Sequence, residues 1–376
     1  MIYLDYSATT KPDDEIIDTF NKVSKNYFGN PNSLHRLGIE SKELIDNATK
    51  QIAKYINVDP NEIIYTSGAT ESNNLVIKGV CTKYKNRGNH IITTKLEHSS
   101  VASTLEYLTT IGFEVDFVNV LDNGLVDIKH LKSLIKDRTI LVTISAVDSE
   151  IGIRQPIEEI GSILKEYSKC FFHTDMTQCY GKSKIDLTNI DFASFSGHKI
   201  YCFKGIGGLY KKNNIVIETL IHGGKSTSVY RSGTPGTELI VSFAKSTRFV
   251  MEKIDENYKY IETLNKKMKK GLSKYEKVVI NSTENSIPHI LNISILGIKP
   301  ETFIHSLEEY DIFISTKSAC SKNGEISSAV YSLTNNEEIS VSSLRISLSH
   351  KTTVREIEEF LRVFDICYKK NIFSKN

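Results

Sequence analysis

The sequence predicts an α/β protein: a large domain whose mostly parallel sheet is sandwiched by helices, followed by a smaller α+β domain at the C-terminal end. Three observations predict it. From about residue 60 to about residue 210, short β-branched runs alternate with helical stretches, the pattern of β-α-β units with a sheet covered on both faces. After Gly236 that alternation gives way to a long helical stretch and a few separated strands. The chain of 376 residues also exceeds one ordinary domain, and its 40% hydrophobic content can fill two cores.

In chain order, Glu62–Thr66 reads as a strand, Glu71–Tyr84 as a helix, His90–Thr94 as a strand and Ser99–Thr110 as a helix. Val115–Val120 and Ile140–Val147 are further strands, with helices at Ile128–Ile135 and Ile157–Tyr167. Phe171–Thr174, Phe192–Ser196 and Gly207–Tyr210 complete the first set of strands. One long helix is then expected from Glu238 to about Lys274, strands near Val278, Ile290 and Ile312, a helix over Thr302–Tyr310, a strand over Leu344–Leu348 and a helix over Val354–Lys369. The large domain is expected over residues 1–250, with residues 1–30 packing on the small domain, and the small domain over residues 251–376.

A formal charge of +2, with acidic and basic residues interspersed, gives no reason to expect a nucleic acid or a membrane surface as partner. The start, Met1-Ile-Tyr-Leu-Asp-Tyr, has neither the basic n-region nor the apolar h-region of a signal peptide. Six scattered cysteines, with no C-x-x-C pair and no zinc spacing, read as reduced thiols of a cytoplasmic protein.

Three segments carry candidate chemistry. In Thr66-Ser-Gly-Ala-Thr-Glu71 a strand ends, small residues turn and a helix begins, which makes an anion site of free N–H groups at the positive end of the helix dipole. Taken alone, Ser67 or Thr70 as a simple N-cap is the better account. In Ser194-Phe-Ser-Gly-His-Lys199 a lysine follows a strand among small residues. Such an amine can be held for Schiff-base chemistry, or can be a solvated surface lysine. Ser196-Gly-His-Lys199 also matches the S-x-x-K of penicillin-recognising hydrolases, but the S-D-N and K-T-G elements occur nowhere in the chain. In Phe171-Phe-His-Thr-Asp-Met-Thr-Gln178, Asp175 ends an apolar strand, where a carboxylate needs a cation or several donors. A pyridinium nitrogen would serve, and so would a cap on the next turn. His173 with Asp175 is too little for a metal site.

Those segments, with Tyr3-Leu-Asp-Tyr-Ser-Ala-Thr-Thr10, Phe28-Gly-Asn-Pro-Asn-Ser33, Leu96-Glu-His98, Arg231-Ser-Gly-Thr234, Ser318-Ala-Cys320 and Leu344-Arg-Ile-Ser347, fall in the order and spacing of the cysteine desulfurases. The chain therefore resembles that family, in the class V branch of the fold-type I enzymes that depend on pyridoxal 5′-phosphate (PLP), from residue 2 to its last helix. The resemblance implies that Lys199 joins PLP as a Schiff base and shuttles protons. It implies that His98 stacks on the ring as an acid–base group, that Asp175 pairs with the ring nitrogen and that Gln178 contacts the phenolic oxygen. Ala69, Thr70, Ser196 and His198 would cradle the phosphate, with Thr234 supplied by the second subunit of a homodimer. Ser149 and Arg345 would hold the carboxylate of L-cysteine.

Cys320 would take the sulfur as a persulfide, leaving L-alanine. It would then pass the sulfur to an acceptor such as an iron–sulfur scaffold, a tRNA-thiolation enzyme or thiamine synthesis, with Cys320 a candidate transient iron–sulfur ligand and no resident metal. The surroundings of Cys320, Ile314-Ser-Thr-Lys-Ser-Ala-Cys-Ser-Lys-Asn-Gly324, are small and polar, and Lys317 and Lys322 favour a thiolate. Cys202, three positions after Lys199, is a candidate auxiliary thiol.

The chain departs from the family pattern at Asp148-Ser149-Glu150, where Asn-Asn-Glu is usual, and Asp148 is expected to add a negative charge near the substrate. It departs again at His222-Gly-Gly-Lys-Ser-Thr-Ser228, and at Cys202-Phe203 in place of Gly-Pro. Another PLP-dependent lyase or aminotransferase, or a non-catalytic sulfur-relay partner, are the alternatives. Retention of both Lys199 and Cys320 weighs against the relay partner, and Cys320 with its polar surroundings weighs against the other PLP reactions, since simple transamination needs no such thiol.

Overall fold

The structure is a computed structural model that describes residues 1–316 and 326–373. Its centre is a seven-stranded sheet in the order Ile63–Thr66, Gly207–Lys211, Phe192–Ser196, Phe171–Asp175, Thr139–Thr143, His90–Thr93, Glu114–Phe117. Gly207–Lys211 runs antiparallel to both its neighbours, and every other pair is parallel. The inner strands are buried on both faces, which is why they read as unbroken apolar runs. Ile92, Val142, Phe172 and Ala193 face a core completed by Ile52, Ile56 and Phe243. Ile91, Leu141, Phe192 and Leu209 face the opposite core with Leu75, Val76, Val80 and Leu105.

Two helices near the N-terminus, Asp14–Asn26 and Arg36–Ile56, are additions to the sequence-based expectation. Arg36–Ile56 buries Ile45, Ala48, Ile52, Ala53 and Ile56 and ends at Asn57, whose left-handed φ of 54° lets its N–H reach back to the carbonyls of Ala53 and Lys54. Both helices pack on the helix Thr237–Glu252.

The single long helix expected from Glu238 to Lys274 is two helices, Thr237–Glu252 and Ile254–Leu272, broken at Lys253 where φ is −115° and ψ is 17°. The break redirects the apolar face. Ile240, Phe243, Ala244 and Val250 pack into the large core, and Ile261, Leu264, Met268 and Leu272 into a second core. That second core is roofed by an antiparallel sheet in the order Ser343–Ser347, Ile290–Ile295, Val278–Ile280, with the helices Pro300–Glu308 and Val354–Phe373. Ile2–Tyr3 pairs in parallel with Ile312–Phe313, and Ile2 and Leu4 are buried in the second core. The chain then crosses to the large core, so residues 5–10 run between the two.

The lobes meet where Arg154 N–H donates to the Asn285 carbonyl and Ile287 N–H to the Gly152 carbonyl. Gly152 has a φ of 83°, and a Cβ there would lie 2.8 Å from Cβ of Ile290, so only glycine allows this approach. Among the described residues, no helix is long and apolar enough to cross a membrane.

Candidate active site

The carboxyl ends of the parallel strands open onto a cavity of about 380 Å³, the place where open α/β sheets bind ligands. Its walls come from the segments that follow five of those strands, from residues 7–8 and 204–205, and from Arg345 on the strand Ser343–Ser347.

One end is built for an anion. The helix Ala69–Lys83 starts at Gly68, which has a φ of 152° and offers no side-chain cap. The N–H groups of the first turn are therefore open to a ligand. The N-cap alternative for Ser67 is not what the structure shows; Ser67 N–H instead donates to Glu71 Oε2 at 2.8 Å. Ala69, Thr70, Ser196, His198 and Lys204 line this end. Burial, with Lys199 and Lys204 beside it, pushes His198 down to about 4.

At the centre stands Lys199, in the turn Gly197–Lys199 after the strand Phe192–Ser196. Its Nζ donates to the carbonyls of Ser7 and Ala8, each at 2.6 Å, so it points inward rather than into solvent. Asp175 is 6% exposed. Its Oδ1 accepts from Thr177 N–H at 2.9 Å, which is the turn cap anticipated as an alternative, and its Oδ2 accepts from Asn73 Nδ2 at 2.8 Å. The carboxylate thus has donors on both oxygens and still lines the cavity. Gln178 Nε2 donates to the Ser7 carbonyl at 2.9 Å, and Gln178 Oε1 accepts from Lys182 at 2.6 Å. His98 is the N-cap of Ser99–Thr110, and burial is the foremost cause holding its imidazole below the usual range.

On the far wall, Arg345 is 2% exposed. Nη2 donates to Asp5 Oδ1 at 2.9 Å and Nη1 to the Ser149 carbonyl at 3.0 Å, while Nε has no partner among the described residues. Ser149 lines the cavity, but Asp148 does not. Asp148 Oδ1 accepts from the N–H groups of Glu150 and Ile151 at 3.1 and 2.5 Å, turned into the backbone, so its charge is spent on the turn instead of the substrate space.

The second departure segment is mostly exposed, with residues 222–225 all on the surface. At the third, Tyr201 adopts a φ of 65°, Cys202 is fully buried and Phe203 packs on Phe20 with ring centroids 4.7 Å apart. Thr234 is exposed and lies outside the cavity, in a neighbouring depression with Ser67, Gly205 and Arg231. Cys320 lies outside the described residues.

The five described cysteines are all buried. Burial pushes the thiols of Cys81, Cys170 and Cys202 up to about 12 and that of Cys367 up to about 11. Cys202, the candidate auxiliary thiol, is a core residue whose burial disfavours the thiolate. His173 is a core residue too, bonded to Thr143 at 2.8 Å and Ser194 at 3.0 Å. Among the described residues, no group of three or more His, Cys, Asp or Glu side chains could hold a metal ion. Asn73, Ser100 and Lys182, which lie in none of the motifs, hold site residues in place, as does Asp5, which lies in the segment Tyr3–Thr10 with no role expected of it there.

The sequence profile of the family described as Aminotransferase class-V matches residues 2–360. The chain belongs to that family. Within it, the chain is 41% identical to the "Cysteine desulfurase IscS" of Buchnera aphidicola subsp. Baizongia pistaciae, covering 95% of this chain and 90% of that one. It is 40% identical to the "Cysteine desulfurase, mitochondrial" of Saccharomyces cerevisiae, covering 95% of this chain and 73% of that one. Among solved structures it superimposes on a "NIFS-LIKE PROTEIN" with a TM-score of 0.92 and 34% identity, covering 97% of this chain and 98% of that one. As a member of the class-V family, the chain has the fold-type I architecture of PLP enzymes, with its cavity at the strand ends.

Proposed function

We propose that this chain is a cysteine desulfurase: with PLP bound, it moves sulfur from L-cysteine to Cys320 and releases L-alanine. The observation that carries the proposal is the convergence in one cavity of an inward-pointing lysine, a buried carboxylate, an uncapped helix start and a buried guanidinium. Similarity over nearly the whole chain to proteins named cysteine desulfurase supports it.

The residues present fit PLP. The open first turn at Gly68, Ala69 and Thr70, with Ser196 and His198, would take the phosphate. Asp175 is a buried carboxylate that accepts from the neutral Asn73 amide and the Thr177 N–H, which suits it to a pyridinium nitrogen. Gln178 offers an amide donor toward a phenolic oxygen, and Lys199 the amine for covalent attachment. PLP supplies, when bound, the electron sink that labilises bonds around the α-carbon of the amino acid.

The chain's own side chains do the rest. Arg345, held by Asp5, presents its fork to the α-carboxylate, and Ser149 adds a hydrogen bond. Lys199, freed from its attachment, takes the α-proton and returns it. The Cys320 thiolate attacks the substrate sulfur: an S–S bond forms, the Cβ–S bond breaks and Cβ gains a proton to become the methyl group of alanine. The persulfide then serves a sulfur-acceptor protein such as an iron–sulfur scaffold or a tRNA-thiolation enzyme. The protein acts as a homodimer, and Thr234, exposed and outside its own cavity, is free to serve the phosphate of the second site.

Incubation with L-cysteine and a thiol reductant tests the proposal. Sulfide and alanine in equal amounts are expected. Sulfide accompanied by pyruvate and ammonia would overturn it in favour of a lyase.

A further inference from the structure

We propose that His98 faces the cavity as a neutral imidazole with its proton on Nε2, and that Ser100 and Asn73 are the positioning residues that hold it in that form. The inference deepens the reading of this cavity as a PLP site and rests on it.

The argument begins with donors that can point only one way. His98 is the N-cap of the helix Ser99–Thr110, with φ −62° and ψ 149°, and the backbone N–H of Ser100 lies 3.1 Å from His98 Nδ1. A backbone N–H can only donate, so Nδ1 must offer its lone pair. The Ser100 hydroxyl sits 2.8 Å from the same nitrogen. Its direction is set from the other end of a chain of side chains. Asn73 Nδ2 reaches Asp175 Oδ2 at 2.8 Å and Ser100 Oγ at 2.9 Å. An ionised carboxylate accepts only, so the amide nitrogen of Asn73, not its oxygen, faces Asp175. Ser100 Oγ therefore accepts from Asn73, and its own hydrogen goes to His98 Nδ1. Asp175 orients Asn73, Asn73 orients Ser100, and Ser100 orients His98.

Asn73, Ser100 and Asp175 are all buried, so no water competes freely for these bonds. Two donors on one ring nitrogen favour the neutral Nε2–H form over both the other tautomer and the imidazolium. Burial acts in the same direction. The charged groups that face the ring divide: Asp175 and Glu150 favour the imidazolium, Lys199 and Arg345 oppose it.

The consequence is a division of labour. His98 works in the cavity as a hydrogen-bond donor at Nε2, as a neutral histidine does when its other nitrogen is committed. To accept a proton at Nε2 it would first have to break its own helix cap, so proton acceptance falls to Lys199.

Holoenzyme labelled with ¹⁵N-histidine tests this through two-bond ¹H–¹⁵N correlations, with the His98 signals identified by their loss in His98→Gln. At pH 7.5 the wild type is expected to show the neutral Nε2–H pattern. A protonated Nδ1, in either the other tautomer or the imidazolium, would overturn the inference. Ser100→Ala removes the hydroxyl and leaves the backbone donor. The His98 titration midpoint should then rise by about half to one pH unit, and Ser100→Thr should restore it. An unmoved midpoint in Ser100→Ala would remove Ser100 from the role. The desulfurase proposal stands or falls separately, on sulfide and alanine.

Discussion

Lys182 Nζ donates a 2.6 Å hydrogen bond to Gln178 Oε1 one helical-style turn earlier, with both side chains buried beside the cavity. An amino group has donors to give, so this contact fixes which way the Gln178 amide faces: oxygen to Lys182, nitrogen to the Ser7 carbonyl and the cavity. The cost falls on the lysine. Burial, reinforced by the charges of Lys199 and Arg345, pushes its amine down to about 7.

That cost predicts a pH-dependent stability. The unfolded chain holds this proton up to its ordinary value of 10.5, and the folded chain releases it near 7. Between those values the unfolded state binds more protons, so stability rises with pH by about 1.4 kcal/mol per pH unit from this group. Lys182→Met removes the term. Urea unfolding of wild type and variant at pH 7, 8 and 9 should show the variant's relative advantage shrinking as pH rises, and parallel curves would refute the assignment.

Asp148 makes the opposite case. Burial, with Glu150 adjacent, pushes its carboxyl from 3.8 up to about 7. The folded state then binds more protons than the unfolded state between those values, so the stability associated with Asp148 is intact below pH 4 and is lost as pH rises toward 7. Asn in its place keeps an oxygen for the Glu150 and Ile151 N–H groups and has no charge to bury. Asp148→Asn should raise the melting temperature at pH 8 and leave it unchanged near pH 4. Equal effects at both values would show that the carboxylate carries no buried charge.

The inner strands were legible because parallel strands buried on both faces are written as continuous apolar runs, as in Ile140–Val142. The break at Lys253 was not, since no glycine or proline stands between Thr237 and Lys270 and the bend arises from two cores competing for one helix. Asp14–Asn26 buries only Ile16 and Val23, too few to mark a period. In the site, the residues that would touch cofactor or substrate sit in motifs. The supporting roles were not legible: Asn73, outside every motif, meets Asp175 across 102 positions, and Asp5, inside the first motif, meets Arg345 across 340, and tertiary pairings of that span leave no local pattern.

Arg345 carries a prediction of specificity. Two of its nitrogens are committed to Asp5 and the Ser149 carbonyl, so the geometry of the fork is fixed before any ligand arrives. Arg345→Lys keeps the charge and loses the planar fork. Hydrogen bonds to charged groups are worth about 1.5–3 kcal/mol, so KM for L-cysteine should rise about 10- to 100-fold while kcat falls less. Steady-state kinetics of alanine formation checks this; an unchanged KM would place the carboxylate elsewhere.

The remaining prediction concerns which thiol carries sulfur. Cys81, Cys170, Cys179, Cys202 and Cys367 are buried, and burial raises every one of their thiols, so none supplies thiolate at neutral pH. That leaves Cys320, set in the sequence between Lys317 and Lys322. Under native conditions a thiol-alkylating reagent should modify one cysteine quickly, and peptide mass spectrometry should locate it at Cys320. A brief pulse of L-cysteine without reductant should leave the extra sulfur on the same peptide. Cys320→Ala should keep the cofactor's visible spectrum and still bind L-cysteine, yet lose nearly all sulfide release in a single turnover. Cys202→Ser should retain turnover, because its thiol is sealed in the core, though a buried hydroxyl there lowers stability by about 1–3 kcal/mol. Sulfur found on Cys202, or wild-type sulfide release from Cys320→Ala, would reassign the nucleophile and make a lyase the better account of the cavity.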